Sequence, residues 1–325
     1  MPPSQPLPAI GFQVWGQFTG WPDLAATARR IEELGFVSLY SNDHLFPAAG
    51  ARYQAEDAPP GPFLEGWITL AGFAMVTSRV ELGVLVSSAG YRSVGMLVKQ
   101  VTAVDHLSGG RAVLGLGAGW HPRDHAAFGF GLPAIGPRLD RLEEQAAAAR
   151  ALLDGETVTT GGQHVRLDRA VNLPRPVRDH VPLLIGGGGE KRTLRIVAQH
   201  ADVWNGEGDV ETWARKNRIL DEHCAAVGRD PSTIRRTVGL PAASIRPTRA
   251  AAVIALAERF RANGLDADEA LAAADTSPMA GTADEVASTL AAYAEAGAAE
   301  VLIDWPAPFD DETLVALAGL LRGRA

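Results

Sequence analysis

The chain has 325 residues, of which 46% are hydrophobic, 21% charged and 6% aromatic, a composition that excludes a disordered chain, a fibrous repeat and a coiled coil. Its formal charge is −8, from 38 acidic and 30 basic residues. Without a dense basic patch, such a chain is a poor partner for nucleic acid. The single cysteine, Cys224, excludes an internal disulfide.

The sequence carries no sign of export or of a membrane span. Residues 1–8 lack the basic and apolar segments of a signal peptide, and no run of about 18 apolar residues is present. We therefore expect a cytoplasmic protein that acts on a small molecule, with neither nucleic acid nor a membrane as a partner.

Short segments rich in Val, Ile and Leu alternate with longer segments of helical periodicity, which predicts parallel βα units. Eight units favour a closed (β/α)8 TIM barrel over an open doubly wound sheet, with residues 1–325 forming a single domain. The predicted strands are Ile10–Gln17, Val37–Asn42, Leu82–Ser87, Ala112–Gly117, Pro182–Gly186, Asp202–Asn205, Ile234–Leu240 and Glu300–Asp304. The predicted helices are Asp23–Leu34, Trp67–Thr77, Val94–Leu107, Arg138–Leu153, Arg192–His200, Val210–Val227, Arg249–Ala262, Ala283–Ala296 and Asp311–Leu321.

Three segments interrupt this alternation. Gly155–Pro176 alternates around a Gly-Gly centre, which predicts a hairpin inserted after helix four. Gly264–Ala280 is predicted to form an extra segment before strand eight. Residues 45–66 are long and rich in Pro and Gly, and as the loop after strand two they would lie on the catalytic rim of a barrel.

Active sites of such barrels lie at the carboxyl ends of the strands, so residues there are the first candidates. Strand two ends in Asp43-His44, and an Asp beside a His can position an imidazole for proton transfer. A loop-capping Asp and a structural His explain the pair equally well. Asp304 ends strand eight and is either pocket-lining or packed in the core.

Two glycine-rich segments follow strands four and five. Gly115-Leu-Gly-Ala-Gly119-Trp120 permits close backbone approach to a flat group, on which Trp120 would stack or, alternatively, cap the barrel. Gly186-Gly-Gly-Gly189-Glu-Lys191-Arg192 directly precedes a helix, and the backbone N–H groups, the helix N-terminus and the two cations together predict a phosphate site. A surface turn is the alternative, and no Walker spacing is present.

Several chemistries are disfavoured by what the strands lack. None of the three lysines, Lys99, Lys191 and Lys216, lies in a predicted strand, which disfavours a Schiff-base aldolase. No His-x-His motif occurs on strand one and no zinc-like cluster occurs elsewhere, so no metal site is expected. No strand clearly ends in Glu, which disfavours a glycosidase with paired carboxylates.

The motifs Ser41-Asn-Asp-His-Leu, Asp105-His-Leu-Ser-Gly-Gly-Arg111, Leu114-Gly-Leu-Gly-Ala-Gly-Trp120 and Ile185-Gly-Gly-Gly-Gly-Glu-Lys-Arg-Thr-Leu194 spread over most of the chain. In these motifs the sequence resembles the luciferase-like (bacterial luciferase) superfamily of flavin and deazaflavin oxidoreductases. It is similar, in particular, to the subgroup that uses coenzyme F420, a 5-deazaflavin.

The resemblance implies a (β/α)8 barrel, usually dimeric, with a tricyclic ring at its mouth. It implies a bulge after strand three with a non-proline cis peptide at Leu85–Val86 behind the ring. The cofactor phosphate would lie on Gly186, Gly187, Gly188 and Gly189 with Lys191 and Arg192 nearby, and Gly117, Ala118 and Gly119 would lie near the ring or tail.

His44 matches a proton-transfer position of the sugar-phosphate dehydrogenases in this superfamily, and Asp43 would orient it. Those enzymes carry an acidic residue after the strand-four glycines, whereas this chain has Trp120, which removes the case for a sugar phosphate. Aromatic residues at the predicted strand ends are assigned to the substrate pocket: Trp15, Phe46, Trp120 and Trp204.

Three functional hypotheses follow. The leading one is an oxidoreductase that transfers a hydride between F420 and a small organic substrate, with His44 exchanging the proton. The second is a two-component, FMN-dependent monooxygenase of the alkanesulfonate type, with a separate reductase supplying reduced flavin. The third is a non-catalytic protein that binds the cofactor.

Overall fold

The computed structural model describes residues 7–48 and 61–322, and strands alternate with helices throughout these ranges. The strands are β1 (Ala9–Val14), β2 (Ser38–Ser41), β3 (Glu81–Val84), β4 (Ser87–Ser88), β5 (Ala112–Gly117), β6 (Val158–Gly161), β7 (Arg166–Ala170), β8 (Leu183–Gly186), β9 (Val203–Gly206), β10 (Arg235–Leu240), β11 (Ser244–Ile245), β12 (Ala280–Gly281) and β13 (Glu300–Trp305). The helices are α1 (Trp21–Glu33), α2 (Gly66–Val76), α3 (Val94–Ser108), α4 (Pro122–Ala127), α5 (Ile135–Leu153), α6 (Thr193–His200), α7 (Val210–Ala226), α8 (Arg249–Ala262), α9 (Ala267–Thr276), α10 (Ala283–Glu295) and α11 (Asp311–Arg322).

The central sheet closes on itself as a parallel barrel, which confirms the predicted fold. Its strands follow the order β3, β2, β1, β13, β10, β9, β8, β5, and β3 pairs with β5 to complete the ring. β4 continues the third barrel strand after an interruption at residues 85–86 and also pairs with β5. Parallel strands with helical crossovers require both faces of the sheet to be covered, and these strands are correspondingly apolar.

Both predicted insertions are present. β6 and β7 pair antiparallel as a hairpin after α5, and the segment before the last barrel strand forms α9, which packs on α8. β12 follows α9 and pairs with β11 beyond the end of the seventh barrel strand. The extra segment therefore belongs to the carboxyl-terminal side of the barrel. Residues 49–60 of the predicted rim loop lie outside the described residues.

Side chains alternate between the two faces of each barrel strand, so the barrel has one core between sheet and helices and another in its interior. Side chains of one parity pack against the helices, as those of Phe12, Ile303 and Trp305 do. Side chains of the other parity fill the barrel interior as a distinct cluster, which contains Tyr40, Leu85, Val113, Leu184, Val203 and Leu302. Because successive strand residues point to opposite faces, the residue two positions beyond each interior side chain points into the barrel mouth.

Sequence signals at helix ends explain where the helices begin and end. Thr282 and Glu285 form a capping box at the start of α10, which satisfies backbone N–H groups that the first turn leaves unpaired. Gly109 follows α3 with a φ of 69°, a left-handed conformation that glycine adopts without the Cβ penalty. No helix in residues 7–48 and 61–322 is long and apolar enough to cross a membrane.

The carboxylate of Glu32 fastens α1 to the segment that leads into β3. It accepts hydrogen bonds from the backbone N–H groups of Ser78, Arg79 and Val80, at distances between 2.6 and 3.1 Å. Burial by itself raises the pKa of Glu32, but these donors outweigh it and lower the pKa to about 2. The ionised side chain therefore stabilises the fold.

We expect Glu32→Gln to lower the free energy of unfolding by about 2 kcal/mol at pH 7, because an amide cannot accept all of these bonds. The folded-state pKa is below the unfolded one, so the stabilisation exists above about pH 4.5 and is lost as the pH falls toward 2. Urea titrations at several pH values measure this difference. Glu33→Gln, at a neighbouring exposed position, is the control; equal losses in both variants would contradict the prediction.

Candidate active site

The carboxyl ends of the barrel strands surround a cavity of about 1340 Å³ that the described residues bound. Four residues reach it by continuing the interior parity of their strands: Asn42, Gly186, Asn205 and Asp304. The predicted site residues that line the cavity are Trp15, Asp43, His44, Leu85, Val86, Gly117, Ala118, Gly119, Trp120, Gly186, Gly187 and Gly189. Those that do not are Phe46, Gly188, Lys191, Arg192 and Trp204.

The floor of the cavity is the interruption between β3 and β4. The Leu85–Val86 peptide bond is cis, as the resemblance implies, and the side-chain amide of Gln13 donates to the carbonyl oxygen of Leu85. Val86 occupies space that two glycines leave open: a Cβ on Gly117 would lie 2.5 Å from its Cγ2, and one on Gly186 would lie 2.9 Å from its Cγ1. These glycines therefore accommodate the bulge, and they place no side chains of their own on the floor of the cavity.

His44 stands on the cavity wall and is oriented by Asp124, a residue of α4. Its Nδ1 lies 2.7 Å from the Oδ2 of Asp124. Because a carboxylate accepts hydrogen bonds, Nδ1 carries the proton in the neutral ring and Nε2 is left as an acceptor for a bound molecule. The ring packs edge-on against Trp120, with a centroid separation of 5.4 Å.

Asp124 is fully buried and joins three segments of the chain. Its Oδ1 accepts the backbone N–H groups of Leu45 and Phe46, at 3.3 and 3.0 Å, and its Oδ2 also accepts the hydroxyl of Tyr91 at 3.0 Å. Burial raises the pKa of Asp124, but its hydrogen bond with His44 leads the contacts that reverse the shift and lower the pKa. The carboxylate is thus held ionised beside the imidazole.

The prediction that Asp43 orients His44 is wrong. Asp43 is buried and forms a two-point ion pair with Arg92, whose guanidinium also contacts Glu65, the N-cap of α2. Burial raises the pKa of Asp43, and the charge of Arg92 opposes that shift. Adjacent residues at a strand end point in different directions, so His44 and Asp43 enter separate networks.

His44, His121 and Asp124 bring one ligand atom each within 4.8 Å of one another, a spacing that a metal ion could use. However, both oxygens of Asp124 already accept hydrogen bonds from the surrounding chain. We therefore interpret the group as a hydrogen-bonded network around a carboxylate.

The glycine turn after β8 lies three strands away from β2, the strand that leads to His44, in the closed strand order. Gly187 has a φ of 124°, and its N–H donates to the carbonyl of Asn205 at 3.0 Å. Gly186, Gly187 and Gly189 line the cavity together with Thr193, the first residue of α6. Backbone amides and a helix N-terminus thus meet at one edge of the cavity.

The structure does not bring the two predicted cations to the cavity. Arg192 pairs with Asp140 at 2.6 Å on α5, and Lys191 is exposed outside the cavity lining. The cation beside the turn is Lys216 on α7, whose Nζ would lie 2.5 Å from a Cβ on Gly188. The local sequence did not indicate Lys216, because α6 and β9 separate it from the turn along the chain.

The prediction that Trp204 and Phe46 line the substrate pocket is wrong, because both pack against other parts of the protein. Trp204 has the helix-facing parity of β9, is fully buried, and stacks on Trp213 of α7 with centroids 5.6 Å apart. Phe46 packs against Phe128 and beneath the guanidinium of Arg123. A strand end alone does not say which face a tryptophan takes, whereas the parity of its neighbours does.

Asp304 is a polar residue whose position favours the pocket-lining interpretation. The Nε1 of Trp15 lies 3.4 Å from its Oδ1, and β13 directs both Leu302 and Asp304 inward. Burial, with a smaller contribution from the nearby carboxylate of Glu207, raises the pKa of Asp304 to about 7.

A family model described as luciferase-like monooxygenase matches residues 9–300, and the chain belongs to this family. An uncharacterised protein of Mycobacterium tuberculosis is 31% identical over 216 residues, which cover 63% of this chain and 75% of that protein. The F420-dependent glucose-6-phosphate dehydrogenase of Intrasporangium calvum is 30% identical over 232 residues, which cover 70% of this chain and 65% of that enzyme.

Solved structures share the fold at lower identity. An F420-dependent secondary alcohol dehydrogenase in complex with an F420-acetone adduct superposes with a TM-score of 0.82 at 19% identity, over 99% of this chain and 100% of that one. The coenzyme F420-dependent tetrahydromethanopterin reductase of Methanopyrus kandleri superposes with a TM-score of 0.78 at 17% identity, over 98% and 99% of the two chains. These likenesses show that the chain shares the barrel fold of both enzymes.

Proposed function

We propose that this protein is an F420-dependent oxidoreductase that transfers a hydride between the deazaflavin and a small organic substrate. The observation that carries the proposal is the His44–Asp124 pair beside a cavity whose floor is the Leu85–Val86 bulge. Two relatives of about 30% identity are named for F420, the glucose-6-phosphate dehydrogenase above and the hydroxymycolic acid dehydrogenase of Mycobacterium tuberculosis. Their cofactor supports the assignment here.

The residues around the cavity fit a planar ring with an anionic tail. Gly117 and Gly186 place no side chain over the bulge, and Val86 fills the space beneath them. The amides of the turn after β8 and the N-terminus of α6 suit a phosphate, with Lys216 as the nearby cation. When bound, the deazaflavin supplies the hydride carrier.

His44 supplies the proton chemistry. With Nδ1–H donated to Asp124, the lone pair of Nε2 can accept the hydroxyl proton of an alcohol as that alcohol is oxidised, or a protonated Nε2 can return it in the reverse direction. The ionised Asp124 carboxylate stabilises the imidazolium that forms. Trp120 packs edge-on against the imidazole ring.

We expect the purified protein to bind F420 more tightly than FMN, because the proposal assigns the cavity to the deazaflavin. Fluorescence titration measures both affinities, since Trp15 and Trp120 line the cavity. Tighter FMN binding, with oxygen-dependent product formation when a separate reductase supplies reduced flavin, would instead favour a two-component monooxygenase. Tight F420 binding without redox exchange over a broad substrate panel would indicate a binding protein.

We expect His44→Ala to lower kcat by about 10²- to 10⁴-fold, the usual contribution of a positioned acid–base group. Added imidazole should restore part of that loss. Asp124→Asn should lower kcat less than His44→Ala does, with F420 affinity unchanged. Steady-state kinetics and cofactor titration test both variants, with His106→Ala at the exposed end of α3 as the control. Full turnover by His44→Ala would refute the proton-transfer role and leave the cofactor assignment standing.

We also propose a homodimer formed through α2. This helix has the sequence GWITLAGFAMV and is apolar on every face, although only one face packs on the barrel, through Trp67, Leu70 and Phe73. Ile68 and Met75 are 72% and 66% exposed on the other face. A helix that is apolar all round is normally buried on all sides.

We expect the protein to sediment as a dimer of 34.3 kDa chains and Ile68→Asp to shift it toward the monomer, since a charge would be buried at the contact. Analytical ultracentrifugation measures the shift. Ile254→Asp, which changes a similarly exposed apolar residue on α8, should leave the dimer intact. A monomeric parent protein, or a dimer insensitive to Ile68→Asp, would contradict the proposed contact.

A further inference from the structure

The wall of the cavity is acidic. Among the described residues that line it there is no lysine or arginine, whereas four carboxylates reach it: Asp43, Glu207, Asp209 and Asp304. A cavity lined by charges of one sign repels ligands of that sign, and the effect strengthens as water is excluded.

Two of the four carboxylates are occupied by the protein itself. Asp43 is paired with Arg92. Asp209 caps the N-terminus of α7, where it accepts the backbone N–H of Thr212 at 2.8 Å. Asp304 and Glu207 remain, and of these Glu207 is exposed at the edge, whereas Asp304 lies deeper at the end of its strand.

Asp304 is available to a ligand. Within residues 7–48 and 61–322, the only hydrogen bond to its carboxyl group is the long contact from Trp15, and no cation of that part of the chain pairs with it. Gln13, the register partner of Asp304 on β1, donates its side-chain amide to the carbonyl of Leu85 instead, and much of the remaining cavity wall is apolar, Leu240 and Pro241 included. A carboxyl oxygen in such surroundings gains most from a donor that a bound molecule supplies, because a buried polar group without a partner is costly.

We propose that Asp304 determines substrate specificity by accepting a hydrogen bond from an uncharged, hydroxyl-bearing substrate and by excluding anionic ones. This inference rests on the proposed function, which it extends to a class of substrate. A phosphate or carboxylate group at this end of the cavity would face Asp304 and Glu207 with no cation from the described wall to balance it. A hydroxyl group meets an acceptor and apolar walls instead.

The test compares two alcohols that share a ring and a reacting hydroxyl and differ in the charge of their second polar group, 4-(hydroxymethyl)cyclohexanol and 4-hydroxycyclohexanecarboxylate. Binding to the F420-loaded enzyme is followed by tryptophan fluorescence at pH 8.5, where Asp304, with a pKa raised by burial to about 7, is ionised. The ratio kcat/KM is measured at the same pH for any alcohol that is oxidised. We expect the parent protein to favour the neutral alcohol at least tenfold. Asp304→Asn should reduce that preference at least threefold, and Asp304→Glu should retain most of it.

Asp168→Asn, a change on the exposed inserted hairpin, is the matched control and should leave the preference unchanged. Thermal unfolding of each variant separates lost selectivity from lost folding, and Asp304→Ser, which also removes the charge, replaces Asp304→Asn should that variant fail to fold. Equal or tighter binding of the carboxylate, a preference unaffected by Asp304→Asn, or binding of neither alcohol would overturn the inference. Failure to bind F420 would overturn the proposed function instead, and ligand binding to the unloaded protein would still report the role of Asp304.

Discussion

A single buried carboxylate, that of Asp124, sets the geometry of the mouth. Ionised and removed from water, it is stable only because donors converge on it from the loop after β2, from Tyr91 and from His44. The same bonds that satisfy the charge orient the imidazole and hold the loop over the floor. The contacts that stabilise this region are therefore also the ones that would orient His44 for the proposed proton transfer.

The packing of the protein itself explains why glycines end β5 and β8. Their absent side chains admit Val86, so that a bulge in one strand is matched by gaps in its neighbours. Gly117 and Gly186 belong to the protein's own packing before any ligand is considered. Their consequence for a ligand is indirect: with no side chains at Gly117 and Gly186, Leu85 and Val86 line the cavity directly, which suits the planar ring of the proposed cofactor.

The sequence was sufficient to predict the barrel and the inserted hairpin, because apolar strands and amphipathic helices alternate regularly along the chain. It was also sufficient to locate the strand ends where the cavity lies. It did not identify Asp124, whose signal, an acidic residue in the first turn of a short helix after Pro122, is an ordinary helix-start preference. Nor did it place Lys216, since partners distant in the chain meet only through the closed sheet.

The charges around the cavity are divided between its two ends. Lys216 stands beside the glycine turn, where its Nζ also donates to the carbonyl of Glu207 at 3.3 Å, while the side chain of Glu207 and that of Asp304 lie toward strand eight. In the proposed complex, an anionic tail would meet a favourable field at the turn, and the ring attached to it would extend toward the floor. This separation of charge would orient the proposed cofactor in the cavity. It would also favour an uncharged substrate beside it.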